Sequence, residues 1–159
     1  MTEDEENILK ARQSRKSFHY KDRLVWSAER RADVSVEGKP ALQVSSPPEF
    51  KGDPACWSPE EMLVSAADAC LLMTFLAYSQ REELEPVKYV SEADGTLEFS
   101  DGRYRFTEVT LRPRLTFRTE EDAEIAQMVL ELAHRDCIIT NSISAVVKME
   151  PEICVEAVS

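Results

Sequence analysis

The chain is short of positive charge. Nineteen lysines and arginines stand against thirty aspartates and glutamates, giving a net charge of −11 at pH 7. Nucleic acid and anionic membrane surfaces both demand a basic footprint, so neither is an expected partner. Cysteine is scarce too: Cys56, Cys70, Cys137 and Cys154 are too few in 159 residues for a disulfide scaffold that replaces a core. No C-x-x-C pair occurs. His134 and Cys137 form one H-x-x-C, but no second close pair completes a four-ligand site, so no metal and no other cofactor is expected. The apolar runs fall short of a membrane span, and the opening Met1-Thr2-Glu3-Asp4-Glu5-Glu6 is acidic, unlike a secretory or transit peptide. Repeats and low-complexity tracts are missing as well. A cytoplasmic protein with free thiols is the expectation.

Hydrophobic residues make up 43% and charged residues 31% of the chain, ordinary values for a globular domain. A chain of this length buries about 70% of its unfolded surface as one domain. Residues 1–16 are charged, with one apolar cluster at Ile8-Leu9, and are expected to form an exposed extension or a loosely docked helix; residues 17–159 are expected to form a single domain.

Within that domain the dominant stretch is Trp57 to Phe75. Ser58 is a good N-cap, Pro59 suits the first helical position, and Glu61 three residues after the cap completes a capping box. The following residues are apolar or small on nearly every side, which predicts a helix from Pro59 to about Arg81, buried all round, with Cys70 at its centre. Before it, Leu24-Val25-Trp26, the alternation Ala32, Val34, Val36, the turn Glu37-Gly38-Lys39-Pro40, and Leu42 and Val44 predict an antiparallel meander. After it, Val87–Phe99 and Tyr104–Phe117 read as long strands joined at Asp101-Gly102, a hairpin signal. The inward positions Tyr104, Phe106, Val109, Leu111, Leu115 and Phe117 change phase between Phe106 and Val109, which predicts a bulge; Asp94-Gly95 suggests another bulge or a kink. Thr119 caps a second helix with the stripe Ile125, Met128, Val129, Leu132, Ala133, ending near His134-Arg135. A last strand holds Val146-Val147, Met149, Ile153 and Val155. The order is βββ-α-ββ-α-β, an α+β domain with antiparallel sheets around a long central helix.

Two stretches carry a family signature. Trp57-Ser58-Pro59-Glu60-Glu61-Met62-Leu63 leading to Ala69-Cys70, and Ala133-His134-Arg135-Asp136-Cys137-Ile138-Ile139-Thr140-Asn141-Ser142, resemble the two cysteine motifs of the OsmC/Ohr family. The Pro47-Pro48-Glu49-Phe50 segment and the element order fit as well, so the resemblance spans about residues 18–156. It implies a thiol-dependent peroxidase that reduces organic hydroperoxides and, more weakly, hydrogen peroxide. It also implies an intertwined homodimer and a dithiol reductant of the lipoyl type. By resemblance Cys70 is the peroxidatic and Cys137 the resolving cysteine, Glu60 is the glutamate at the start of the central helix, and Arg30, in Ala28-Glu29-Arg30-Arg31-Ala32, is the arginine of the N-terminal strands. Both small positions of that turn, usually Gly in the family, are Ala here, which keeps Arg31 as the alternative.

The chemistry sets its own demands. A cysteine with the usual pKa near 8.5 is only a few per cent thiolate at neutral pH, and burial lowers that fraction. A reactive Cys70 therefore needs a cation, and an arginine stays charged when buried. Glu60 would hold that arginine in place and partly compensate its charge. Ten residues of helix span about 15 Å, so Glu60 cannot reach Cys70 of its own helix; an arginine serving both implies a site at a dimer interface. Phe75, Met73, Phe50 and Trp57 are expected to line a pocket favouring an apolar substituent.

Simpler readings stand beside these. Cys70 and Cys137 as a redox switch without turnover, or an inert structural dimer, are the alternatives. Cys154 reads as packing, Cys56 as incidental, His134 as a last-turn residue or a base, and Glu60 as an ordinary acid at a helix N-terminus. Asp68, a carboxylate in an apolar helix, is left facing either an interface or a cation.

Overall fold

The computed structural model describes residues 2–5 and 16–157. The Ile8-Leu9 cluster of the charged extension lies outside the described residues. The chain divides into two compact units, Met1–Cys56 and Trp57–Ser159.

The first unit is the expected meander: β1 (Arg23–Ala28), β2 (Arg31–Ser35) and β3 (Leu42–Ser45), antiparallel throughout. Leu24 pairs with Val34 and Trp26 with Ala32. The β1–β2 turn places Glu29 in the left-handed region, φ 48°, and two bonds brace it: Trp26 Nε1 donates to the Glu29 carbonyl at 3.0 Å and Ser27 Oγ to the Arg31 carbonyl at 3.1 Å. Gly38 turns the chain into β3 at φ 77°, a conformation that suits glycine.

The second unit begins with α1 (Pro59–Arg81). Its capping box is complete: Glu61 N–H donates to Ser58 Oγ at 3.1 Å, and Ser58 N–H to Glu61 Oε2 at 2.8 Å. Only Ala67, Leu71, Phe75 and Ser79 are buried, one stripe with a spacing of four. The expectation of burial all round is therefore corrected: Met73 is 58% and Leu76 40% exposed, because the described residues of the second unit cover α1 from one side only. By length and composition, with mean hydropathy 1.6 over an 18-residue window, α1 would also suit a membrane span, so the apolar runs are not too short for one.

The strands β4 (Lys88–Ser100) and β5 (Arg103–Phe117) form a long hairpin. Asp101 at φ 52° and Gly102 at φ 78° give the two positive φ angles of a type I′ turn. Thr96 pairs with Glu108 but Leu97 with Phe106, so Thr107 is the extra residue of the expected bulge. Beyond it Val109, Leu111, Leu115 and Phe117 are fully buried. Tyr104 is not inward; it is exposed and meets Phe99 edge-on at 5.0 Å. Asp94 and Gly95 keep regular register opposite Thr110 and Val109, so no bulge lies there. Instead, a Cβ on Gly95 would come within 2.8 Å of both Val64 Cγ2 and Phe106 Cε1, and the glycine lets α1 settle onto the hairpin.

Helix α2 (Glu120–Asp136) is capped by Thr119, whose Oγ1 accepts from Asp122 N–H at 3.1 Å. Its buried face is Ala126, Val129, Leu130 and Ala133, whereas Met128 and Leu132 of the expected stripe are exposed. Both sets obey the same i, i+3, i+4 spacing. The set with the two alanines wins, since small residues allow a close approach to the neighbouring element. The expected last strand is two: β6 (Val146–Met149) and β7 (Glu152–Val155), both parallel to β5. Pro151 between them has no N–H for a ladder. The order is thus βββ-α-ββ-α-ββ, and the second sheet is mixed rather than antiparallel. Leu71, Phe75, Leu111, Leu115, Phe117, Val129 and Leu130 make the core between this sheet and the two helices.

Candidate active site

Cys70 lies one position off the buried stripe of α1 and is half-buried. The spacing Cys70, Thr74, Tyr78 places all three on one side of the helix. Cys137 follows the last turn of α2 and is fully buried. Four groups act on the Cys70 thiol: the Ile139 and Ile138 backbone amides, the Cys137 thiol and the Thr74 hydroxyl. Thr74 Oγ1 is 4.0 Å from Sγ and donates to the Cys70 carbonyl at 2.8 Å. Both cysteines are free thiols.

This arrangement separates the two thiols electrically. Burial pushes Cys70 up, but the Ile139 N–H, the Cys137 thiol, Thr74 and the Ile138 N–H all favour its anion and hold it below the ordinary thiol value. Burial also pushes Cys137 up; Thr140 works against this, but Cys70 adds to it, and the result is a raised pKa. Cys70 is thus the better thiolate and Cys137 the proton holder, a pairing suited to nucleophilic attack by one thiol and later condensation with the other.

The remaining candidates differ in setting. Glu60, in the first turn of α1, has Oε2 buried with no hydrogen-bond partner among the described residues. Since α1 is continuous from Pro59, ten residues separate Glu60 from Cys70, about 15 Å along the axis. Arg30 sits exposed in the β1–β2 turn and makes no ion pair among the described residues. Arg31, the alternative, is committed to Asp53. Asp68 now has an account: Ser91 Oγ on β4 donates to its Oδ1 at 2.6 Å. The expected pocket residues do not all belong together, for Phe75 is 0% exposed and packs 6.0 Å from Tyr89 in the core, on a different face from Met73.

Sequence reasoning missed Tyr78 and Asp136. Tyr78 Oη donates to Asp136 Oδ2 at 2.5 Å, and Arg135 donates to both Asp136 oxygens at 2.7 and 2.6 Å. The i+8 spacing of Tyr78 from Cys70, and Asp136 standing next to Cys137, were the available signals. The two backbone amides beside Cys70 had no signal, since they depend on how the chain turns after α2.

Comparison with known proteins now adds to the geometry. The family model described as OsmC-like protein matches residues 51–152. The chain belongs to the OsmC-like family. YmaD of Bacillus subtilis (strain 168), an uncharacterised protein, is 25% identical over 142 residues, covering 87% of this chain and 95% of its own. Among solved structures, an OsmC-like protein of unknown function from Vibrio cholerae superposes with a TM-score of 0.76 at 22% identity, over 85% of this chain and 99% of its own. An organic hydroperoxide resistance protein from Elizabethkingia anophelis gives 0.67 at 17% identity, over 89% and 100%. The OsmC-like fold of the chain, α+β with a three-stranded and a four-stranded sheet and two long helices, agrees with these neighbours.

Proposed function

We propose that this OsmC-like protein is a thiol-dependent peroxidase acting on organic hydroperoxides, and more weakly on hydrogen peroxide, as a cytoplasmic homodimer. The observation that carries the reading is Cys70: a half-buried thiol with a lowered pKa, beside a second thiol with a raised one. The Cys70 thiolate attacks the distal peroxide oxygen, the O–O bond breaks, and the alkoxide leaves as alcohol after taking a proton. Cys70 is left as a sulfenic acid. The Cys137 sulfur then displaces the hydroxyl, which departs as water with the Cys137 proton, and a Cys70–Cys137 disulfide results. A dithiol of the lipoyl type reduces it by exchange and becomes a cyclic disulfide itself.

Arg30 is the proposed cation, and its lack of an ion pair among the described residues favours it over Arg31, which Asp53 occupies. The Oε2 of Glu60, unpartnered among the described residues, favours the proposal that it steadies an arginine, and its distance from Cys70 favours a site completed by a second copy. The exposed apolar face of α1 around Met73 and Leu76 favours the same dimer. Met73 and Trp57, both exposed, would suit an apolar substituent on the peroxide.

The test is hydroperoxide consumption with dihydrolipoamide as reductant. Wild-type turnover that is lost in Cys70→Ser, with the oligomer unchanged, is the expected result. A disulfide that forms in the wild type without turnover on any dithiol would overturn the enzyme in favour of a redox switch.

A further inference from the structure

We propose that the Tyr78–Asp136 hydrogen bond is a positioning device that holds Cys137 against Cys70 while the disulfide closes. The proposal deepens the peroxidase reading and rests on it.

The segment after α2 is knotted to itself. Asn141 Nδ2 donates to the Arg135 carbonyl at 2.8 Å, and its N–H to the Cys137 carbonyl at 3.0 Å. Thr140 Oγ1 donates to the Cys137 carbonyl at 3.3 Å, Ser142 Oγ to the Ile138 carbonyl at 2.7 Å and Ser142 N–H to the Ile139 carbonyl at 3.0 Å. Residues 135–142 therefore move as one piece, and what matters is how that piece is fastened to α1. Two polar fastenings stand out among the described residues. One is Cys70 itself, facing the Cys137 thiol and the Ile138 and Ile139 amides. The other is Tyr78, bonded to the residue directly before Cys137.

Oxidation treats these fastenings differently. When Cys70 becomes a sulfenic acid, its negative charge is gone, and the bonds that charge drew from the amides and from Cys137 weaken. The Tyr78–Asp136 bond involves neither sulfur. At 2.5 Å between a phenol and a carboxylate it is short and charge-assisted, and it persists through the step in which Cys137 must attack. Tyr78 lies two turns from Cys70, about 12 Å along the axis, but helical side chains lean toward the N-terminus, which carries its hydroxyl back toward the site. Arg135, which grips both Asp136 oxygens, and Arg81, whose guanidinium lies 5.3 Å from the Tyr78 ring centroid, complete the clamp. The hydroxyl of Tyr78 donates to Asp136 and not to a thiol, so Tyr78 acts through Asp136.

The experiment compares full-length wild type, Tyr78→Phe, Asp136→Asn and Asp136→Ala, following each thiol step separately. Stopped-flow formation of the Cys70 sulfenic acid should be unchanged in Tyr78→Phe, while closure of the disulfide slows about tenfold. Sulfinic acid on Cys70 should then accumulate at lower peroxide. Asp136→Asn keeps an oxygen that accepts from Tyr78 but loses the charge that strengthens the bond, and should close at a rate between wild type and Tyr78→Phe; Asp136→Ala should behave like Tyr78→Phe. Unchanged closure in Tyr78→Phe, or both steps slowed alike with a lowered Tm, would overturn the proposal. A second arm uses diamide, which takes two electrons from the thiol pair and becomes a hydrazine. Slower diamide closure in Tyr78→Phe, in a protein that consumes no hydroperoxide, would sink the peroxidase reading and leave the positioning role standing.

Discussion

Cys70 and Cys137 face each other as unlike thiols: the first is held below the ordinary value, the second above it. Their surroundings explain the difference. Burial raises both, but Cys70 also receives two backbone N–H groups and a thiol proton, whereas Cys137 is the neighbour that supplies the proton. Iodoacetamide alkylation followed by mass spectrometry across a pH series should therefore give Cys70 a midpoint below that of a model thiol and Cys137 a midpoint above it. In Cys137→Ser the serine hydroxyl can still donate, so the Cys70 midpoint should stay low; in Cys137→Ala it should rise. Coincident midpoints for the two wild-type thiols would remove the electrostatic basis of the proposed chemistry.

The clamp beside them has a pH signature. Arg135 first, and Tyr78 second, hold the Asp136 carboxyl down at about 2 against an ordinary 3.8. A depressed carboxyl contributes stability that is complete above 3.8 and lost as pH falls through about 2. Solvent reaches the Asp136 side chain, which is 34% exposed, and screens its ion pair. The Tm of wild type should exceed that of Asp136→Asn at neutral pH, and the gap should narrow between pH 4 and pH 2. A gap that does not change over that range would show that Asp136 contributes nothing as an anion.

How much of this could be read in the sequence depends on how local each signal was. The capping box of α1, the Asp101-Gly102 turn and the bulge near Thr107 rest on a few adjacent residues, and each is found where expected. Met73, Met128 and Leu132 were misplaced because an apolar residue on a helix says that a face will be covered, not by what. Tyr104 and Phe99 cover each other at the hairpin tip instead of entering the core, which alternation alone cannot distinguish. The β6–β7 break was legible in Pro151, yet the parallel pairing to β5 was not, since it depends on where α2 delivers the chain. At the candidate site the two cysteines stood out by motif. Tyr78, Asp136 and the Ile139 amide join the candidate site by geometry alone, and only the fold brings them there.

The outward face of α1 tests the proposed homodimer. Met73 and Leu76 lie exposed on an otherwise apolar helix, and an exposed apolar patch of that kind marks an interaction surface. Leu76→Glu should shift sedimentation toward the monomer, and Met73→Glu should do the same with a greater loss of turnover, since Met73 is closer to Cys70. The core of the second unit is built on Leu71 and Phe75, so the far-ultraviolet dichroism of both variants should stay close to wild type. A dimer that survives both substitutions would move the interface elsewhere on the protein.

Gly95 fixes how closely α1 can lie on the hairpin. An alanine there gains some stability because the unfolded chain loses freedom, about 0.4–1 kcal/mol where the native backbone tolerates it. Against this, the new methyl would sit 2.8 Å from Val64 Cγ2 and 2.8 Å from Phe106 Cε1. Val64 is β-branched and stiff at χ1 on a helix, and the Phe106 ring is half-buried on β5. Overpacking of this kind costs about 1–3 kcal/mol, which outweighs the entropic gain. Gly95→Ala should therefore lower the urea midpoint with the m-value unchanged, and Val64→Ala in the same chain should restore part of the loss, because it removes one of the two clashing groups. The double-variant cycle reads that coupling directly. Additive single effects would mean that Val64 and residue 95 do not touch, and that the seat of α1 on β4, and with it the height of Cys70 above the sheet, is set by some other contact.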